Sequence, residues 1–298
     1  MPNQTCLVNL ARLRERWRET AVPGIILRVP DLTRMTDLLR NALFAALYQG
    51  GRMFQRAATL WLYAAAGAVR LADLRAAIRH EWEYAGGLES DGYIASGLMD
   101  WERSFYPRFL KPNDRVLVIG CGTGRDTLAL LQLGYRAEGL DVGPQCTATA
   151  QRLLEKLGLK SSVYTGAIET VELPGRFDAF IFSWFCYSYI PQSETRIGVL
   201  RKLLGHLNPG GRILVTYVPA KTLPRYLPIR ITQLVAWLTR SDWRPEYGDA
   251  VQLAGPRTRF AHYEHEFTRE SLEEEARAAG LTVAFHERAD QGTAALIA

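Results

Sequence analysis

Apolar residues beyond residue 115 form short, nearly uninterrupted runs. Three of these lie at 116–119, 177–183 and 212–218, and the last two follow glycine-containing turns. Such runs are typical of strands covered on both faces, as in a parallel sheet between two helical layers. Further strands are predicted near 162–164, 259–267, 281–286 and 292–298. The pattern therefore predicts an α/β fold with a doubly wound, mostly parallel sheet.

The first third of the chain instead shows helical spacing. Apolar residues recur every three or four positions over 32–47, and the glycine pair Gly50–Gly51 follows. The same spacing returns over 53–78, and Gly86–Gly87 would end that segment. This arrangement predicts a helical hairpin in which each helix has one apolar face.

The position of the hairpin predicts a helical extension over 1–92, ahead of an α/β domain over 93–298. Its most apolar stretch, 57–69, has 13 residues and is well short of the roughly 20 that span a bilayer. Three interpretations stay open: packing on the core or on a second subunit of a homodimer, covering an acceptor site, or lying on a membrane surface. Nucleic-acid binding is not expected, because the arginines alternate with acids and no stacking platform is evident.

A glycine turn follows the first of these strands directly, with the sequence Gly-Cys-Gly-Thr-Gly at 120–124. Glycine removes the Cβ atoms that would obstruct the bend or keep a ligand from the backbone. A helix after the turn would point its free N–H groups at the same place. The next residue is Arg125, so the Gly-x-Gly-x-x-Gly dinucleotide pattern is not met, and no phosphate-loop lysine follows. The turn therefore indicates nucleoside binding without diphosphate geometry.

A single acid, Asp141, ends the next apolar run, about twenty residues after the turn, and an acid at a strand end suits a vicinal diol. Turn and acid together resemble motif I of the class I S-adenosylmethionine-dependent methyltransferases. Later elements keep that family's order, with Phe177-Asp178 opening a strand, a turn at 207–211 and a helix capped by Thr268. The resemblance covers about 93–298 and implies a Rossmann-like sheet of seven strands, S-adenosylmethionine as cofactor and methyltransferase activity.

The resemblance also implies which residues bind the cofactor. They are Gly120, Cys121, Gly122, Thr123, Gly124, Asp126, Asp141, Val142, Ala167, Ile168, Ser183, Trp184 and Tyr93, with Trp101 as an alternative to Tyr93. Two positions depart from the family. Val118 stands where an acid is frequent, and Ala167 stands where an aspartate usually contacts the adenine amino group. Backbone groups near Ala167, or the side chain of Glu169, are the expected substitutes.

Acceptor chemistry is expected after the fourth strand, where 183–189 is a dense aromatic run. Apolar walls there would exclude water and hold an acceptor in line with the transferable methyl group. The Asn/Asp-Pro-Pro-aromatic pattern of protein and DNA amino-methyltransferases is absent, which favours a small-molecule acceptor. In the family, an insertion such as 219–266 commonly builds the acceptor pocket.

A hydroxyl acceptor would also need a base. The candidates are His265, His262 and Tyr187, with structural hydrogen bonding as the alternative role for each. The two histidines lie on opposite faces of a strand with period two, so they do not converge on a metal, and no metal site is expected.

Composition agrees with an enzyme that has a large core. The chain has 298 residues, 48% of them apolar, and a formal net charge of +5. Its four cysteines are scattered without a Cys-x-x-Cys pair, which argues against zinc and against a disulfide framework. No signal peptide is evident, so a cytoplasmic protein is expected, peripheral at a membrane if the hairpin lies on one.

Three functions fit these observations. The first is a methyltransferase acting on an O or N atom of a small apolar or aromatic acceptor. The second uses the same cofactor on a lipid-linked or isoprenoid acceptor at a membrane surface. The third is a protein that binds the cofactor without catalysis, suggested by the departures at Val118 and Ala167.

Overall fold

The structure is a computed structural model. It describes residues 32–83, 91–220, 226–253, 261–289 and 291–298. The chain divides into two compact units, 1–57 and 58–298. In the first unit, the described residues belong to helix α1 (Leu32–Ala66). The domain boundary expected near residue 92 stays a prediction.

The second unit alternates strands and helices over most of its length. Its helices are α2 (Leu71–Glu83), α3 (Asp91–Ala95), α4 (Asp100–Phe109), α5 (Arg125–Gln132), α6 (Pro144–Lys156), α7 (Ser193–Gly205), α8 (Tyr226–Thr239) and α9 (Arg269–Ala278). Its strands are β1 (Arg115–Ile119), β2 (Arg136–Asp141), β3 (Val163–Thr165), β4 (Phe177–Phe182), β5 (Leu207–Pro219), β6 (Asp249–Leu253), β7 (Ala261–Phe267), β8 (Thr282–Arg288) and β9 (Gly292–Ile297).

Seven of the strands form the predicted sheet, in the order β3-β2-β1-β4-β5-β9-β8. The strands from β3 to β5 pair in parallel, and β9 lies antiparallel between β5 and β8. The doubly wound, mostly parallel sheet is therefore confirmed. The insertion adds two strands, because β7 pairs with the end of β5 at Val218 and Pro219 and β6 pairs antiparallel with β7.

Both faces of the sheet are covered by helices. Leu117 and Phe180 face a core built with α7 and α9, whereas Val116, Val118 and Ile181 face a core built with α4 and α5. Successive strand residues point to opposite faces, so a strand buried on both faces has to be apolar at every position. This requirement is the physical origin of the uninterrupted apolar runs in the sequence.

The helical prediction for the first third was wrong in where the helices end. α1 continues through Gly50 and Gly51, and the chain turns only at 67–70, ahead of α2. Each internal glycine costs about 1 kcal/mol relative to alanine, which a helix of 35 residues tolerates. Glycine is needed at position 67 in this turn, because a Cβ there would collide with the carbonyl oxygen of Thr232 in α8. The expected end at Gly86–Gly87 lies outside the described residues.

Side chains near the N-termini of α9 and α4 pair with free backbone N–H groups. The hydroxyl of Thr268 accepts a hydrogen bond from the Ser271 N–H at 3.1 Å, so the predicted cap of α9 is confirmed. Met99 is the N-cap residue of α4, and its N–H donates to the carboxylate of Glu102. None of the described helices combines the length and apolar character needed to cross a membrane.

Candidate active site

A cavity lies at the carboxyl ends of β1, β2 and β4 and is covered by α2. The structure brings most of the predicted cofactor residues together there. Those that line the cavity are Gly120, Cys121, Gly122, Thr123, Asp126, Asp141, Val142, Ala167, Ile168, Ser183, Trp184 and Tyr93. Gly124 lies just behind the lining as the N-cap residue of α5, and Tyr93 rather than Trp101 faces the cavity.

The three glycines of the turn have different physical roles. Each has a positive φ, which favours glycine. A Cβ at Gly120 would collide with the sulfur of Cys186, and one at Gly124 would lie 3.0 Å from the Cβ of Ala150. A Cβ at Gly122 would have no atom within 4 Å, because this glycine faces the open cavity. Gly120 and Gly124 therefore permit close packing, and Gly122 leaves room for a ligand.

Asp141 is held rigidly at the end of β2. Its Oδ2 accepts a hydrogen bond from the Gly122 N–H at 2.9 Å, and its Oδ1 accepts one from the Gly143 N–H at 2.8 Å. These bonds fix the carboxylate against the glycine turn while it still lines the cavity. A carboxylate oxygen has more than one acceptor site, so the ribose hydroxyls can bind beside the two amides.

Asp126 brings a second carboxyl group to the cavity, and this one is buried. Ser183 donates a hydrogen bond to its Oδ2. Its Oδ1 lies 2.5 Å from the guanidinium of Arg125, as an ion pair without hydrogen-bond geometry. Burial raises the pKa of Asp126 to about 7, with a further increase from Glu102 and an opposing decrease from Arg125. A buried acceptor with its hydrogen-bonding capacity unfilled suits a cationic ligand group.

Arg125 was not among the predicted site residues, yet this arginine organises one end of the cavity. Its guanidinium donates to both carboxylate oxygens of Glu102, at 2.7 and 2.8 Å, and to the carbonyl of Gly97 at 2.6 Å. It also lies 5.5 Å from the centre of the Tyr93 ring and 5.7 Å from that of Trp184. Arg125 therefore joins the segment before β1 to the glycine turn. Its position directly after the turn was the only signal in the sequence.

The far end of the cavity is aromatic and is closed by α2. The rings of Trp82 and Tyr189 lie 5.1 Å apart, and both line the cavity with Ile78. The predicted insertion 219–266 contributes no described residue to the lining. The cover comes instead from α2, which belongs to the helical segment for which covering an acceptor site was one of three open interpretations.

His262 lies beside the cavity cover and is not part of the lining. Its Nδ1 is 2.7 Å from Glu81 in α2, and its Nε2 is 3.6 Å from Glu264. Hydrogen bonds to Glu264 and Glu81 raise its pKa to about 9. The imidazole is therefore protonated at neutral pH and has no free site to accept a proton, which disfavours the predicted role as a base.

His265 and Tyr187 are buried away from the cavity, which does not favour a catalytic role for either. The Nδ1 of His265 is 2.7 Å from a carboxylate oxygen of Asp249. The hydroxyl of Tyr187 donates to Glu275 at 2.7 Å, and burial raises the pKa of this tyrosine. Both side chains join elements of the core through buried hydrogen bonds.

One group of potential metal ligands occurs in the described ranges, formed by Glu246, Asp249 and His265. Each carboxylate already accepts hydrogen bonds from protein donors. Glu246 accepts from Ser193 and Arg196, and Asp249 accepts from the hydroxyl of Tyr263 and the N–H of Glu246. The group is a hydrogen-bonded cluster that joins the insertion to α7.

Comparison with known proteins identifies a family. The family model described as a methyltransferase domain matches residues 93–285. The ribosomal protein L11 methyltransferase of Thermus thermophilus is 28% identical over 109 residues, which cover 37% of this chain and 40% of that protein. The ubiquinone biosynthesis O-methyltransferase of Xanthomonas campestris pv. campestris is 24% identical over 158 residues, which cover 45% of this chain and 64% of that protein.

These matches reach only part of each relative, so the chain spans between 40% and 64% of the length of those two proteins. Solved structures agree on the fold. A methyltransferase from Methanosarcina mazei has a TM-score of 0.52 at 17% identity, covering 67% of this chain and 97% of that one. The CcbJ methyltransferase from Streptomyces caelestis has a TM-score of 0.51 at 14% identity, covering 74% of this chain and 96% of that one.

The open space at Gly122 leads to a matched pair of variants. Gly134 has a similar positive φ and equally open surroundings, but lies outside the cavity lining. We expect Gly122→Val and Gly134→Val to lower the free energy of unfolding by a similar amount, about 1–2 kcal/mol. Only Gly122→Val should lose affinity for S-adenosylhomocysteine in calorimetric titration. Equal affinities in the two folded variants would place the cofactor elsewhere.

The pKa of Asp126 predicts a pH-dependent affinity for the cationic cofactor. Because that pKa is raised to about 7, the carboxyl is mostly neutral in mildly acidic solution and becomes anionic as the pH rises. Affinity for S-adenosylmethionine should therefore increase about five- to tenfold between about pH 5.5 and 7.5. Asp126→Asn, measured by the same titration, should bind with a constant that is flat over this range. If the affinity of the parent protein for S-adenosylmethionine does not change with pH, Asp126 does not bind the cationic group of the cofactor.

Proposed function

The chain belongs to the methyltransferase-domain family and uses S-adenosylmethionine as its cofactor, and on that basis we propose that it methylates an O or N atom of a small apolar or aromatic acceptor. The observation that supports this proposal is the continuity of one cavity. Its first part is lined by the glycine turn and two acids, and its second by aromatic and aliphatic side chains. A cofactor and an acceptor would therefore meet without an intervening barrier.

The residues present fit the cofactor. Gly122 leaves open space beside the backbone, Asp141 presents a fixed carboxylate, and Asp126 presents a buried acceptor. Asp141 would hold the ribose, Asp126 the cationic end, and the backbone around Ala167 the adenine edge. When bound, S-adenosylmethionine supplies an electrophilic methyl group on a positively charged sulfur.

The chain's own contribution at the acceptor end is orientation and exclusion of water. Trp82, Trp184 and Tyr189 surround the cavity with Ile190 and Pro191. Side chains of this kind confine a flat apolar molecule and keep water from the reacting atoms, which raises the fraction of productive encounters. Trp184, two residues after the end of β4, has a positive φ of 38°, so the chain turns sharply where the aromatic run begins.

The proton chemistry favours an acceptor that is already nucleophilic. No histidine is among the described residues that line the cavity, and burial raises the pKa of Tyr189 well above its usual value. Glu169 forms an ion pair with Arg75 at 3.7 Å, so its carboxylate already has a partner in the protein. An amine, or a phenol acidic enough to ionise in solution, needs no strong base from the protein. We therefore place amines and phenols ahead of aliphatic alcohols.

The proposal is tested by transfer of a labelled methyl group to a panel of phenols, aromatic amines and aliphatic alcohols. Product should form with the first two classes. Asp141→Asn keeps the shape but removes the charge that holds the ribose, so it should bind the cofactor about 30- to 150-fold more weakly. An equal affinity in the variant would refute the ribose assignment. Cofactor binding by the parent without product from any compound would instead support a non-catalytic cofactor-binding protein.

A second candidate is methylation of a lipid-linked or isoprenoid acceptor at a membrane surface. The observation that favours it is an apolar outer face on α8. The residues Tyr226, Leu227, Leu234, Trp237 and Leu238 are all more than half exposed. The opposite side of α8 is buried through Ile229 and Thr232. Arg230 in α8 and Arg240 just after the helix are also exposed. A helix that lies on the surface of an anionic membrane combines exposed apolar residues with exposed basic residues.

Flotation with vesicles distinguishes this candidate from the first. The parent should float with anionic phosphatidylglycerol vesicles and lose binding as salt rises, since each basic residue near the surface contributes about 1 kcal/mol. Leu238→Glu should abolish flotation. Leu133→Glu is the matched control, because Leu133 is 59% exposed and Leu238 is 63% exposed. Absence of flotation, together with a dimer in light scattering that Leu238→Glu converts to a monomer, would assign the α8 face to a second copy of the chain.

A further inference from the structure

We propose that the acceptor carries a carboxylate or phosphate group, which Arg79 binds with help from Arg75. The inference rests on the proposed methyl transfer to a small acceptor and specifies the class of that acceptor. Arg75 and Arg79 lie one turn apart on α2, and both line the cavity. Ile78 and Trp82 share this stripe, so the anionic group would lie beside apolar walls.

The position of this stripe is fixed by the rest of α2. Leu74 and Ala77 are fully buried in a cluster that also contains Trp243, Val251 and Tyr263 from the insertion. The N–H of Leu71 donates to Asp242 at 2.8 Å, and Glu81 pairs with His262 near the other end of the helix. A helix anchored at both ends and along its inner face presents its arginines to the cavity from a constant position.

Arg79 differs from the other arginines of the lining in its protein partners. Arg125 is saturated by Glu102 and a carbonyl, and Arg75 faces Glu169 at 3.7 Å. Arg79 has no hydrogen bond or ion pair with any residue that the structure describes. Its guanidinium can therefore bind a ligand without first giving up a protein partner.

The two ends of the cavity also differ in charge. Asp126 and Asp141 lie beside the glycine turn, where they complement a cationic cofactor, whereas the cover formed by α2 presents arginines. The indole N–H of Trp82, on the same helix, is buried without a hydrogen-bond partner among the described residues and adds a potential donor. Guanidinium groups match the paired oxygens of carboxylates and phosphates in geometry as well as in charge. An anionic acceptor is therefore complementary to the cover.

Binding to protein saturated with S-adenosylhomocysteine tests the inference. Three probes share one aromatic body: para-hydroxybenzoate, para-hydroxyphenyl phosphate and the neutral para-hydroxybenzamide. Calorimetric titration should show that at least one anionic probe binds about tenfold more tightly than the amide, a modest factor because Arg79 is exposed and its charge is screened. The carboxylate and phosphate arms identify which anion the site prefers.

Substitutions on and just before α2 test which residue produces the preference for the anionic probe. Arg79→Met should reduce the preference for the anionic probe to less than about threefold, and Arg79→Lys should retain part of it because the charge remains. Arg70→Met is the control, since Arg70 is an exposed arginine just before α2 and lies outside the cavity lining. Cofactor affinity should be unchanged in all three variants, which shows that they are folded.

The outcomes separate this inference from the proposed function. Equal binding of anionic and neutral probes, no binding of any probe, or an unchanged preference in Arg79→Met would each refute the anionic subsite. Methylation of anionic acceptors with the same kcat/KM by the parent and Arg79→Met would also refute it, while leaving the proposed function intact. Anion binding through Arg79 without methyl transfer to any acceptor would support the subsite and contradict the proposed function.

Discussion

The buried ion pair between Arg125 and Glu102 is the interaction on which the cofactor end of the cavity depends. It joins α4 to the first residue of α5, and its guanidinium also faces the ring of Tyr93. Both partners are almost completely buried. Loss of one partner from a buried pair costs about 3–5 kcal/mol, because the remaining charge is left without compensation. The same pair also acts on Asp126: in addition to the increase from burial, Glu102 raises the pKa of Asp126 and Arg125 lowers it. Local folding and ligand electrostatics are therefore coupled at one point.

The second organising feature is the placement of α2 over the carboxyl ends of the strands. Its inner face is part of a hydrophobic cluster with the insertion, and its ion pair with His262 involves an imidazole that is charged at neutral pH. The insertion therefore acts on the site indirectly, since it supports the helix that covers the cavity. Arginines on that helix and acids beside the glycine turn make the two ends of one cavity complementary to ligands of opposite charge. This division is what connects the proposed transfer to the proposed class of acceptor.

Sequence reasoning succeeded where the signal was local and continuous. Eight of the nine strands in the described residues, the glycine turn and Asp141 were predicted close to their observed places, and β6 was missed. A strand buried on both faces requires apolar residues at every position, and a bend around a ligand requires glycine. Sequence reasoning failed at Gly50 and Gly51, where helix propensity alone suggested an end and the helix continues. The catalytic roles predicted for His265 and Tyr187 stay predictions, and their burial away from the cavity does not favour them. Residue type and strand period cannot reveal that both side chains are occupied by carboxylates of distant segments.

The sequence by itself determined the sheet, its likeness to a known cofactor-binding fold, and the edge at which the cofactor residues meet. Parallel strands bring their carboxyl ends to one edge, so residues that follow successive strands are neighbours in space whatever the loops between them do. Only the tertiary structure decided which helix covers that edge, which acid is buried, and which arginine has no partner among the described residues and can bind a ligand. Those properties depend on contacts between residues 23 to 181 positions apart, such as Arg125 with Glu102 and His262 with Glu81. Burial and pairing, rather than residue type, then set the charge and the accessibility of each group.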